Sequence, residues 1–241
     1  MPIAARDITI PVGGADEMPA YTAHPAGVPA PAVVIVPSVF GIGKVARDTV
    51  EMFAANGYLT VSLDMFFRTA PGPLDMSAKD AFAKAVERAT RFDHEQGQKD
   101  IAKVRDYVLA LPECNGKWAC VGYCFGGRYT LLAGAYMGAD AVAAFHPSRM
   151  GAELEAAAAL RVPASFHCGG ADQQVPMPEI EAVQRALASD PLAELYVYPG
   201  VAHGFTSPGG PAYDADATRL SLERALRMLA GLKTPAAAAG G

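Results

Sequence analysis

The stretch Gly122-Tyr123-Cys124-Phe125-Gly126-Gly127 follows the apolar run Trp118-Ala-Cys-Val and sets one cysteine between glycines at alternate positions. The string has the form of a nucleophile elbow, G-x-S-x-G, with cysteine in the place of serine. In such a turn the chain leaves a strand and enters a helix through a strained bend. The glycines are needed because a Cβ there would collide with a neighbouring strand or helix. Opening a helix at Cys124 also brings free backbone N–H groups and the positive end of the helix dipole to its sulfur, which favours the thiolate, the form that attacks a carbonyl.

Two later segments supply partners for that thiolate. The run Ala164-Ser-Phe-His-Cys reads as a strand and ends in the Gly-rich loop Gly169-Gly-Ala-Asp172, while Leu195 to Tyr198 ends in Pro-Gly-Val-Ala-His203-Gly. Cys124, Asp172 and His203 thus occur in the chain order of the α/β-hydrolase triad, each just past a strand end. In that arrangement His203 takes the thiol proton and later protonates the leaving oxygen, and Asp172 fixes the imidazole tautomer and stabilises its charged form. The tetrahedral oxyanion needs donors, which are expected from the backbone N–H groups of Phe125 and Val39.

These residues need a frame that delivers strand ends to one place. Ala32 to Val36 is continuously apolar and β-branched, as a strand buried on both faces reads. The pattern returns at Tyr58 to Leu63, Trp118 to Tyr123, Ala141 to Phe145, Ala164 to His167 and Leu195 to Tyr198, and a hairpin from Ile8 to Pro11 and Ala20 to Thr22 precedes them. Helical stretches lie between, at Ala46 to Ala55, Ser77 to Phe92, Lys99 to Leu111, Gly126 to Tyr136, Glu179 to Ala188 and Asp214 to Leu232. Alternation of strand and helix predicts a doubly wound, mostly parallel α/β sheet flanked by helices, in which ligands bind at the carboxyl ends of the strands. Residues 1–232 read as one domain, and the Ala/Gly-rich residues 233–241 as a flexible tail with nothing to bury.

Bulk properties narrow the partners. With 51% hydrophobic and 19% charged residues the 241-residue chain can bury a large core. A net charge of −5 without a Lys/Arg run argues against nucleic acid or an anionic membrane as partner. No apolar run approaches the roughly 20 residues of a membrane span, and the first residues lack the pattern of a secretion signal, so a cytoplasmic location is expected. The four cysteines (Cys114, Cys120, Cys124, Cys168) are too scattered for a disulfide scaffold or a zinc motif, and no metal is expected.

Taken together, the elbow, Gly169-Gly-Ala-Asp172, His203-Gly-Phe, Val33-Val-Ile-Val-Pro-Ser-Val-Phe-Gly-Ile, Ala55-Asn-Gly-Tyr and Leu63-Asp64-Met-Phe resemble the dienelactone hydrolase (carboxymethylenebutenolidase) family over nearly the whole chain. The resemblance implies an α/β-hydrolase fold, no cofactor, a Cys124–Asp172–His203 triad, and hydrolysis of a small-molecule ester or lactone. The best-known members carry a thiol-activating glutamate after the first core strand, where this chain has Ser38. They also carry two carboxylate-binding arginines, and the matching positions here are Phe82 and Ser207. Together with His146, at the end of a strand on the presumed active-site side, Ser38, Phe82 and Ser207 are the candidate substrate contacts of a more apolar site. Monomer and dimer are both compatible with the sequence. Two other readings stay open: a redox-responsive protein that uses Cys124 without hydrolysis, and a ligand-binding member that has lost turnover.

Overall fold

The computed structural model describes residues 4–233. Strands β1 (Ala4–Gly13) and β2 (Asp16–His24) pair antiparallel in a hairpin that extends beyond both predicted cores. Six further strands fall on the six apolar runs: β3 (Ala30–Val36), β4 (Leu59–Leu63), β5 (Cys114–Tyr123), β6 (Ala141–Phe145), β7 (Ala164–Gly169) and β8 (Ala193–Tyr198). All eight form one sheet in the order β1-β2-β4-β3-β5-β6-β7-β8. β2 runs antiparallel to β4, and every pair from β4 to β8 is parallel.

The period of two along each central strand explains why both faces are covered. Val34 and Val36 join one apolar cluster, and Val33 and Ile35 join another on the opposite face. The first cluster takes in α3 (His94–Leu109) through Ile101, Val104 and Val108, α4 (Gly127–Tyr136) through Leu131, and α6 (Met177–Leu187) through Ile180 and Val183. The second takes in α1 (Lys44–Ala55) through Val50 and Phe53, and α7 (Ala215–Leu229) through Ala225 and Leu229. Burying each such aliphatic or aromatic side chain contributes about 1.5–3 kcal/mol, so this two-sided burial is the main force holding the strand ends in register.

Helix limits differ from the sequence reading for local reasons. The helix α2 (Ala81–Thr90) starts later than Ser77, because Asp75 Oδ1 accepts from the Ser77 backbone N–H and hydroxyl and holds a turn there. α3 starts earlier than Lys99, since Asp93 accepts from Gln96 N and caps a first turn with no apolar periodicity to announce it. The short α5 (Leu154–Ala159), entered through a 3-10 turn at Met150–Glu153, was not predicted; its alanines favour a helix without marking a face. The tail from Thr234 onward lies outside the described residues.

The turn between β5 and α4 is the tightest place in the sheet. A Cβ at Gly122 would stand 2.4 Å from the Gly126 carbonyl oxygen, and one at Gly126 would stand 2.0 Å from the Val36 carbonyl oxygen. At Gly127 it would meet Pro147 Cβ at 2.1 Å, so this glycine makes room for the loop after β6. Backbone atoms cannot swing away as a flexible side chain can. Gly126→Ala is therefore expected to cost about 3 kcal/mol, the upper range for overpacking, whereas Gly231→Ala, with nothing within 4 Å, should change stability by no more than about 0.5 kcal/mol. Denaturant unfolding of the two variants checks the contrast.

Candidate active site

Cys124 sits where β5 ends and a 3-10 turn, Cys124–Gly126, leads into α4. Its φ of 52° is left-handed, a conformation that costs a non-glycine residue of order 1–3 kcal/mol and persists only when its surroundings enforce it. The Gly122 and Gly126 contacts provide that enforcement from two sides. The Cys124 carbonyl accepts from Ser148 N at 2.9 Å, which ties the turn to the loop after β6.

Asp172 and His203 come from the neighbouring ends of β7 and β8. A Cβ at Gly169 would lie 2.4 Å from the Val201 carbonyl oxygen, so the two loops touch through bare backbone. Gly170 N donates to Tyr198 O at 2.7 Å and Ala171 N to Val201 O at 2.9 Å. Asp172 is buried. Its Oδ1 accepts from Gln174 N and Val175 N, and its Oδ2 lies 2.7 Å from His203 Nδ1. Burial opposes a charge on His203, but the bond to Asp172 and the Cys124 sulfur on the other side outweigh it and raise the ring to about 10. A His203 ring nitrogen lies within 4.8 Å of the Cys124 sulfur, the partner on that side of the ring.

His146 joins the pair. A ring nitrogen of His146, one of His203 and the Cys124 sulfur all lie within 4.8 Å of one another. The two imidazoles meet edge to face with centroids 5.0 Å apart. His146 is buried, has a φ of 38°, and bonds through Nε2 to Thr206 Oγ1 at 2.9 Å. Burial first, and the nearby His203 second, push its pKa well below the ordinary histidine value, so it stays neutral beside a charged neighbour.

The other predicted residues divide between two cavities. Cys124, Phe125, Val39 and Phe82 line a cleft of about 270 Å³, with the Phe82 side chain exposed at its rim. Ser38, His146 and Ser207 line a second, mostly apolar cavity of about 420 Å³, and the consecutive residues Ser38 and Val39 belong one to each wall. The Ser38 hydroxyl accepts from Phe40 N at 3.3 Å and shapes its own loop.

Sequence reasoning missed two arginines here. Arg88 is buried, lies over the Phe66 ring, and donates to the carbonyls of Val39 at 2.6 Å and Gly72 at 2.9 Å. It thereby ties down the loop after β3 at the Val39 carbonyl, one peptide unit past the Val39 N–H. Nothing in its helical position distinguishes it from a solvated arginine. Arg149 lines the cleft with Cys124, has a φ of 60°, and makes no side-chain hydrogen bond or ion pair among the described residues. Its only signal in the sequence is its place just past the end of β6, on the ligand side.

The raised value at His203 has a definite sign. A ring whose folded pKa lies above its ordinary 6.5 stabilises the fold fully below about pH 6.5, and that contribution is lost as pH rises through about 10. NMR of the labelled His203 ring is expected to show an imidazolium at pH 8 that loses its proton near pH 10. A ring already neutral at pH 8 would contradict the account.

Comparison with known proteins identifies the family and the fold. Residues 18–232 match the model of the dienelactone hydrolase family. Carboxymethylenebutenolidase from Pseudomonas putida is 32% identical over 216 residues, covering 89% of this chain and 92% of the relative. Carboxymethylenebutenolidase 1 from Cupriavidus pinatubonensis is 32% identical over 217 residues, covering 90% and 92%. A solved Klebsiella pneumoniae chain, provisionally described as a dienelactone hydrolase, superposes with a TM-score of 0.83 at 25% identity, covering 95% of this chain and 98% of that one. With its eight-stranded sheet and its elbow at Cys124, the chain belongs to the dienelactone hydrolase family of α/β-hydrolases.

Proposed function

We propose that the chain hydrolyses a small carboxylic ester or lactone through a thioester on Cys124, with His203 and Asp172 completing the triad. The observation that carries the reading is the 2.7 Å bond between Asp172 Oδ2 and His203 Nδ1 beside a nucleophile held at a φ of 52°. With Ser38 in the glutamate's place, we assign activation of the Cys124 thiol to His203, whose ring nitrogen lies within 4.8 Å of the sulfur.

The thiolate attacks the carbonyl carbon, and the oxyanion is taken by the N–H groups of Phe125 and Val39, with Arg88 holding the loop that carries the second through the Val39 carbonyl. His203 then protonates the leaving oxygen and becomes neutral, leaving the acyl group on sulfur. Water enters, gives a proton to His203 and attacks the thioester; collapse releases the acid and frees Cys124 and His203 for the next turnover. Ser38, His146 and Ser207 line one arm of the substrate space and Phe82 the rim of the other. Arg149 gives the cleft an unpaired positive charge suited to a substrate carrying a carboxylate. The relatives' name, carboxymethylenebutenolidase, points the same way, to a carboxylated lactone. We place the reaction in the cytoplasm, a reducing compartment in which a thiol nucleophile persists.

Against the redox reading, two of the other thiols are poor resolving partners: burial pushes both Cys120 and Cys168 up to about 12 and keeps them protonated. Cys124→Ala and His203→Ala should each lower kcat/KM for a short p-nitrophenyl ester by roughly 10³-fold or more, with the circular dichroism spectrum unchanged. Near-wild-type turnover in either variant would sink the triad assignment.

A further inference from the structure

The proposed reaction leaves one buried group at the site without a task, the Nδ1 of His146. Each of the two histidines beside Cys124 is held from one nitrogen by an oxygen: His203 Nδ1 by Asp172 Oδ2 at 2.7 Å, and His146 Nε2 by Thr206 Oγ1 at 2.9 Å. The other nitrogen of His203 is turned toward the Cys124 sulfur, whereas Nδ1 of His146 is buried and has no hydrogen-bond partner among the described residues. A buried polar atom without a partner is costly, so the one on His146, beside Cys124 and His203, calls for an explanation.

One ligand atom from each of Cys124, His146 and His203 lies within 4.8 Å of the others. A thiolate and two imidazoles are a borderline-soft donor set that suits Zn²⁺ and does not suit Mg²⁺ or Ca²⁺, which take oxygen ligands. Zinc bonds of about 2.0 Å to nitrogen and 2.3 Å to sulfur place tetrahedral ligand atoms between 3 and 4 Å apart, by the order of magnitude those lengths set. Only a small inward movement of the three side chains is therefore needed. A ligating histidine whose far nitrogen is held by a carboxylate or another oxygen is the outer-shell pattern that orients zinc ligands. Here both histidines have it. Cys124 lines the cleft of about 270 Å³ and His146 the cavity of about 420 Å³, so solvent space adjoins the cluster.

We propose that Cys124, His146 and His203 form an inhibitory site for a soft divalent cation of the Zn²⁺ class. On binding, the sulfur and the two ring nitrogens donate lone pairs to the cation, and any proton held on Cys124 or on the free nitrogens passes to solvent. Nucleophile and base are then both occupied, and hydrolysis stops until the cation is removed. The inhibitory role rests on the triad reading above; the binding site itself does not.

The test uses the full chain with Zn²⁺, and with Co²⁺ as a coloured substitute. One cation per chain is expected, with a thiolate-to-Co²⁺ charge-transfer band, ester hydrolysis falling in step with occupancy, and recovery on adding a chelator. His146→Asn keeps a residue that tolerates a positive φ and should weaken Zn²⁺ binding more than tenfold. Thr206→Val, which removes only the oxygen behind His146, should weaken it about tenfold. Circular dichroism of each variant separates lost binding from lost fold. Absence of stoichiometric binding, or an affinity unchanged in both variants, overturns the proposal. An enzyme that hydrolyses esters but ignores Zn²⁺ would leave the hydrolase reading standing without this site. A chain that binds the cation at these residues and hydrolyses nothing would leave the site standing and remove the hydrolase.

Discussion

Everything at this site depends on the close approach of bare backbone at the β5–α4 turn. Gly126 lies against the Val36 carbonyl and Gly122 against the Gly126 carbonyl, at distances no side chain survives. That crowding holds Cys124 at a φ of 52°, with its side chain on the cleft beside His146 and His203. The same device joins the other two loops, where Gly169 rests on Val201 and lets Asp172 reach His203. The sheet supplies rigidity through two-sided apolar burial, and the glycines turn that rigidity into position.

Electrostatics then separates two histidines that nearly touch. His203 is charged because a carboxylate with two further backbone donors stands on one side of it and a sulfur on the other. His146 is neutral because it is wholly buried, bonded to a hydroxyl, and faces that charge. Two imidazoles 5.0 Å apart with opposite protonation states are a consequence of partners rather than of the ring itself. The neutral one is left with a free nitrogen beside the nucleophile, and the proposed cation site grows from this.

Much of this was legible in the sequence, for physical reasons. Buried parallel strands must be apolar at consecutive positions, so β3 to β8 announce themselves. Elbow glycines are legible because their spacing around Cys124 marks the turn, even though the atoms that demand them at Gly126 and Gly127 belong to Val36 and Pro147. What could not be read depends on contacts distant in the chain: the hydroxyl behind His146 comes from Thr206, and the carbonyls that hold Arg88 come from the loops at Val39 and Gly72. α3 hid its start behind a polar first turn capped by Asp93. Ser38, Phe82 and Ser207 were picked out by position, yet they fall on the walls of two cavities, a division that no one-dimensional pattern carries.

The central claim is that Cys124 carries the acyl group, and the most direct measurement is the mass of the protein quenched during turnover of an activated ester. The account predicts one acyl adduct per chain, mapped by peptide fragmentation to Cys124 as a thioester that hydroxylamine removes. Turnover without any adduct under rapid quench, or an adduct on another residue, would contradict it.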